Sequence, residues 1–184
     1  MRTACFDLET WDLSPQFGPI LVGSVLDLST GKMRSFRQDA YVKAKKAEDM
    51  TDDGAMCVDL RNHLEEFDLL VGWFSKGFDI AHLRTRLVLA GERPLHKHFH
   101  IDPCWCYKGW RGLKPKSASL DSVSSFFGFE EKPKVLPEVW MKAKAGNKKA
   151  MDEAVERCEA DTRITATVYR KTLDLDLIQN ISKY

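Results

Sequence analysis

Thr3-Ala4-Cys5-Phe6-Asp7-Leu8-Glu9-Thr10 reads as a short β-strand, and successive side chains of a strand alternate between its two faces. Cys5, Asp7 and Glu9 then point one way, Phe6 and Leu8 the other. Two carboxylates on one face of a central strand repel each other, and burying them unpaired is costly. A bound divalent cation with oxygen ligands, Mg²⁺ or Mn²⁺, resolves the conflict. So does a strand that ends at Leu8 and leaves Glu9 and Thr10 in solvent. What separates these readings is whether the rest of the chain supplies carboxylates that solvation does not account for.

The length of 184 residues suffices for one domain with a substantial core, and residues 1–184 are read as a single unit. Hydrophobic residues make up 43% and charged residues 30%, proportions of an ordinary water-soluble protein. No apolar run approaches the roughly 18 residues of a membrane span, so no membrane partner is expected. The immediate entry into a strand leaves no signal peptide. Five cysteines without the spacing of a disulfide scaffold point to a reducing, cytoplasmic setting. The net charge of +1 says little as a total; its distribution says more.

Outward from the first strand, Ser14-Pro15 and Gly18-Pro19 mark a loop. Ile20–Leu28 is β-rich, Ser29–Lys32 is a turn, and Met33–Arg37 alternates as a partner strand, giving an antiparallel meander. Residues 39–56 are polar and mixed in sign. Val58, Leu60, Leu64 and Phe67 give a helical spacing over 55–67. Leu69–Phe74 reads as a short apolar strand. A helix is predicted from Phe78 to Ala90, with Gly91 and Pro94 as its stop. His96–Asp102 reads as a further strand and Leu120–Phe127 as a short helix; 133–145 gives no clear signal. Lys148–Leu173 reads as a long amphipathic helix. The order implies an α/β fold with a mixed sheet of about five strands, the first three antiparallel, flanked by helices.

The long helix carries the first acid that solvation does not explain. Its inward stripe is Met151, Ala154, Cys158, Thr165, Val168 and Thr172, and Asp161 falls within it. A salt bridge to Arg157 or Arg163 is the competing explanation. Asp79 opens the other helix, where an aspartate also suits the helix dipole without any function. His82 and Arg86 share its face and suit a phosphate. Asp7, Glu9, Asp79 and Asp161 together can hold two divalent ions about 4 Å apart, the arrangement that drives in-line attack of water on a phosphodiester.

Three stretches in order carry a family resemblance. Phe6-Asp7-Leu8-Glu9-Thr10 resembles the first motif of the DEDD superfamily of 3′–5′ exonucleases, which have a ribonuclease-H-like fold. Val71–Leu83, with Phe78-Asp79 at its centre and Arg86 beyond, resembles the second. Arg157-Cys158-Glu159-Ala160-Asp161 resembles the third. Together they span residues 3–173 and are most similar to the exonuclease domains of B-family DNA polymerases and their stand-alone relatives; the Leu120–Val123 helix before a lysine-containing loop fits that branch. The resemblance implies a 3′–5′ exonuclease acting on single-stranded DNA or RNA, with Asp7, Glu9, Asp79 and Asp161 as catalytic ligands of two Mg²⁺ or Mn²⁺ ions. Thr10, Trp11 and Phe78, which adjoin the motifs, and Arg86 fall on the substrate side.

The third motif departs from the family at Arg157, where a Tyr or His normally orients or deprotonates water. Arginine stays protonated and is a poor base. Three readings are open: no protein base is needed; His82, His100 or Tyr107 substitutes; or the site is catalytically weak and Arg157 grips a phosphate. The last leaves a non-catalytic nucleic-acid-binding module on the same fold as the alternative to an exonuclease, and a metal-dependent phosphatase is a third possibility.

Between Pro103 and Leu120 there is no acid, and Lys108, Arg111, Lys114 and Lys116 are interleaved with Trp105, Tyr107 and Trp110. Such a segment attracts phosphates and stacks on unpaired bases, or is a solvated loop with core tryptophans. Trp105, Lys108, Trp110 and Arg111 are its candidate contacts. His96, His98 and His100 with Cys104 and Cys106 invite a zinc reading, at a spacing foreign to standard zinc sites.

Overall fold

A computed structural model describes residues 1–42, 49–108, 112–129, 135–178 and 182–183. The strands are β1 (Thr3–Thr10), β2 (Ile20–Asp27), β3 (Met33–Arg37), β4 (Leu69–Val71), β5 (Phe99–Ile101) and β6 (Ser182–Lys183). The helices are α1 (Gly54–Leu64), α2 (Asp79–Leu89), α3 (Leu120–Phe126), α4 (Glu138–Lys144) and α5 (Lys148–Asp174). The sheet order is β3-β2-β1-β4-β5-β6. β3, β2 and β1 form the expected antiparallel meander, while β1, β4 and β5 run parallel. The short β6 pairs antiparallel with β5, a strand that the sequence pattern does not signal.

β1 is central because both of its faces are used. Phe6 and Leu8 enter a cluster with Leu60 and Leu64 of α1 and Leu83 and Leu87 of α2. On the other face Cys5 packs with Ala166 and Tyr169 of α5. Each fully buried Leu or Phe side chain is worth about 1.5–3 kcal/mol, so these layers lock β1 on both sides. Asp7 and Glu9 share the Cys5 face and therefore look towards α5. The register shifts between Glu9 and Thr10, a bulge at the end of the strand.

β4 is shorter than its sequence suggests. The Leu69–Phe74 run is a strand only as far as Val71, and the chain turns at Phe74, whose φ is 54°. β4 pairs with β1 only through Thr3, Ala4 and Cys5, so that side of β1 is open beyond Cys5. α2 enters at this opening. The Asn147 side chain caps α5 by accepting from the Ala150 N–H at 3.0 Å. Met151, Ala154, Cys158, Asp161, Thr165, Val168 and Thr172 of α5 are all buried, as the stripe predicts. Among the described residues no helix is long and apolar enough to cross a membrane.

Candidate metal centre

Asp7 and Glu9 of β1 meet Asp161 of α5. One oxygen from each lies within 4.8 Å of the others, the only group of potential metal ligands that close among the described residues. Asp7 and Glu9 are half-buried and Asp161 is buried, so the trio is open on one side. Asp79, the first residue of α2, stands beside the trio. Its Oδ1 accepts from the Leu8 N–H at 3.0 Å, in the opening where β4 has ended.

Packing acids this closely shifts their protonation. Burial first, then the carboxylates of Asp79, Asp161 and Glu9, holds Asp7 well above the usual carboxylate range. Burial raises Asp79 to about 7, against the lowering effect of the backbone N–H groups it accepts from. An all-oxygen, mutually repelling, half-open donor set fits a hard divalent ion such as Mg²⁺ or Mn²⁺.

Other side chains hold these acids in place. The Trp140 indole of α4 donates to Glu9 Oε2 at 2.8 Å. Arg157 Nε donates to Asp161 Oδ2 at 3.1 Å and lies 3.9 Å from Glu9 Oε1. The Cys158 thiol donates to the Asp7 carbonyl at 3.3 Å and approaches Asp7 Oδ2 at 3.6 Å. Trp140 falls in the stretch without a sequence signal. The amphipathic pair Val139 and Ala143 is the pattern that could have marked α4, since both are buried. Partners of metal ligands typically tune affinity 10- to 100-fold. Trp140→Phe is therefore expected to weaken Mn²⁺ binding about tenfold in a calorimetric titration, with little change in fold.

The protonation pattern has a measurable sign. A carboxyl whose folded pKa is raised binds a proton in the native state that the unfolded chain has released. Stability present at low pH is then lost as pH climbs towards 7, by up to about 1.4 kcal/mol per unit for one proton. Asp27 and Glu65, both lowered to about 2, titrate below this window. Burial lowers the pKa of His82 and His100, so they gain stability as pH rises, but only below about 6.5, where the unfolded chain still protonates them. In EDTA the unfolding midpoint is therefore expected to fall between about pH 6.5 and 8. Asp79→Asn should flatten that fall, and Mn²⁺ should offset it by favouring the ionised form.

The remaining sequence candidates divide. His82 and Arg86 share a face with Asp79 by helical spacing, yet the structure gives both other partners. His82 Nε2 pairs with the Gly18 carbonyl at 2.7 Å, and burial lowers its pKa. Arg86 forms a buried ion pair with Asp53 at 2.7 Å and also reaches the Pro15 and Thr51 carbonyls. The other possible bases are engaged as well: His100 Nε2 with Ser75 Oγ at 2.9 Å, and the Tyr107 hydroxyl with Thr172 Oγ1 at 2.6 Å. Thr10 Oγ1 donates to the Asp12 carbonyl at 2.9 Å. Trp11 lies under Lys144 Nζ at 4.2 Å. Phe78 rests against the His82 ring, 5.2 Å between centroids. Trp105 and Lys108 lie together at the surface, while Trp110 and Arg111 fall outside the described residues. The alternation expected over His96–His100 does not form, because β5 begins only at Phe99. His96 pairs with Glu65 and His100 is buried, so these histidines do not converge.

The model of the RNase H superfamily matches residues 4–173, and the chain belongs to that superfamily. Its fold is similar to a solved structure of the family B DNA polymerase from the hyperthermophilic archaeon Pyrobaculum calidifontis. The TM-score is 0.70 at 19% identity, over 96% of this chain and 25% of that one. The chain thus spans about a quarter of the polymerase's length. A search of curated proteins gives no match. Membership of the superfamily supports a nuclease-type enzyme that acts on nucleic acid.

Proposed function

We propose that the chain is a divalent-metal-dependent 3′–5′ exonuclease of the DEDD type, acting on single-stranded DNA or RNA ends. The observation that carries this reading is the meeting of Asp7 and Glu9 from the central strand with Asp161 from α5, with Asp79 at their edge. These four would hold the Mg²⁺ or Mn²⁺ ions, two in the full arrangement. When bound, such ions lower the pKa of water and neutralise charge on the leaving oxygen. Trp140 fixes the Glu9 carboxylate, and Cys158 fixes Asp7. Arg157 contributes positive charge where a phosphate would lie against the carboxylates. It cannot take the proton of the attacking water. His82 Nε2, His100 Nε2 and the Tyr107 hydroxyl pair with groups outside the acid cluster, which supports the reading in which no protein base is needed.

A 5′-labelled single-stranded DNA or RNA incubated with Mn²⁺, Mg²⁺ or EDTA tests the proposal. A ladder shortening from the 3′ end, abolished by EDTA, is expected. A second reading rests on Arg157, whose guanidinium already lies among the acids: a nucleic-acid-binding module without hydrolysis. Binding without cleavage under either ion would favour it.

A further inference from the structure

Two exposed aromatic rings lie together at the loop that leads into Asp79. Phe74 is 41% and Trp105 53% exposed, with ring centroids 6.4 Å apart. Lys108 Nζ sits 4.1 Å from the centre of the Phe74 ring and 4.8 Å from that of Trp105. Adjoining exposed rings under a cation make a small apolar surface with a positive edge.

The backbone is built to present these rings. Phe74 has a φ of 54°, a left-handed conformation that is strained for an aromatic residue and marks functional loops. A side chain at Gly77 would meet the Phe74 ring at 2.8 Å, so that glycine makes room for the ring. One buried carboxylate ties both ring-bearing segments together. Asp102 accepts from the N–H of Phe74 at 2.9 Å, of Lys76 at 3.4 Å and of Cys104 at 3.3 Å, the last opening the turn that carries Trp105. With Asp102 buried, no acid of the 103–119 segment opposes Lys108. The Ile80 N–H donates to the Ser75 carbonyl at 2.9 Å, so the loop runs directly into the first turn of α2 at Asp79.

We infer that Phe74 and Trp105 form a stacking platform for an unpaired base of a single-stranded nucleic acid, with Lys108 holding the adjacent phosphate. Aromatic faces accept any base, and the cation supplies attraction for the backbone. The choice of ligand rests on the nuclease reading above; the platform itself rests on its own geometry and lies outside the carboxylate cluster.

The test uses the full chain in EDTA, so that binding is read without cleavage. Anisotropy of labelled single-stranded DNA and RNA oligonucleotides of roughly 12 nucleotides gives the affinity. Trp105→Ala and Phe74→Asn remove one ring each, and asparagine tolerates the left-handed backbone. Each variant is expected to bind roughly tenfold more weakly at an unchanged unfolding midpoint. In wild type, an abasic residue at one position of the oligonucleotide should cost a similar factor, and Trp105→Ala should remove that sensitivity. Unchanged affinity in both folded variants would overturn the platform and leave the nuclease reading standing. Loss of affinity without any base dependence would reduce the role to Lys108 charge and overturn stacking. Self-association that both variants abolish, with oligonucleotide affinity intact, would assign the face to a second copy instead. No binding by wild type to any single strand would overturn the platform, while cleavage from the 3′ end in Mn²⁺ would still leave the nuclease reading standing.

Discussion

Asp7→Asn should abolish nuclease activity while making the metal-free protein more stable. The two effects have one cause. Asp7 lies among Asp79, Asp161 and Glu9, and burial together with their charges holds its carboxyl well above the usual carboxylate range, so near neutral pH the folded chain must either carry a costly charge or bind a proton. Replacing it by a neutral amide of the same shape removes that cost and leaves the Cys158 contact an acceptor. A gain of about 1 kcal/mol is expected, or about 2–4 °C in the unfolding midpoint measured in EDTA. The same change removes a charge from the group that would hold the ions. Bound metal supplies several kcal/mol of charge stabilisation, so activity should drop by roughly a thousandfold or more. The midpoint increase that Mn²⁺ gives the wild type should also vanish. A stable variant with intact cleavage would sink the assignment of the metal centre.

Arg157→Met should do the reverse to the metal-free protein. The guanidinium is the positive partner of Asp161 at 3.1 Å and approaches Glu9 at 3.9 Å. These side chains are mostly buried, 11–17% exposed. Removing one partner of such a group leaves carboxylates uncompensated, at a cost of roughly 3 kcal/mol. The midpoint in EDTA should fall by about 6–12 °C. Mn²⁺ should recover most of that loss, because the ion supplies the charge that arginine supplied. An equal midpoint with and without Mn²⁺ in the variant would mean that Arg157 and the ion do not share the same acids. Activity separates two roles for the arginine. Slower cleavage in the variant would show that Arg157 assists, and faster cleavage that it obstructs.

Much of this architecture is legible in the chain because it follows local periodicity. The alternation of Cys5, Asp7 and Glu9 against Phe6 and Leu8 sets the faces of β1, and the helical spacing from Met151 to Thr172 places Asp161 on the inward side. What is lost is information carried between elements. Arg86 is spaced to face Asp79, but a spacing rule sees only its own helix, and Asp53 on the neighbouring segment takes it instead. The Leu69–Phe74 run is apolar throughout, so nothing in its pattern shows that the strand stops at Val71 and that Phe74 turns outward. The histidine alternation fails for the opposite reason: period two has no meaning at His96 and His98, which precede the strand. Trp140 is hidden because its partner Glu9 lies 131 positions away in the chain.

The early end of β4 has one more consequence. Because β1 has no strand neighbour beyond Cys5 on that side among the described residues, the Leu8 amide donates to the Asp79 carboxylate at 3.0 Å. Its proton is therefore a spectroscopic reporter buried inside the site. The ¹H–¹⁵N resonance of Leu8 should move as Asp79 titrates and move again on addition of a divalent ion, while the amide of Ala4, on the same edge of β1 but within the β4 pairing, stays still. One backbone resonance would thus follow the charge state of the centre without a label or a substrate.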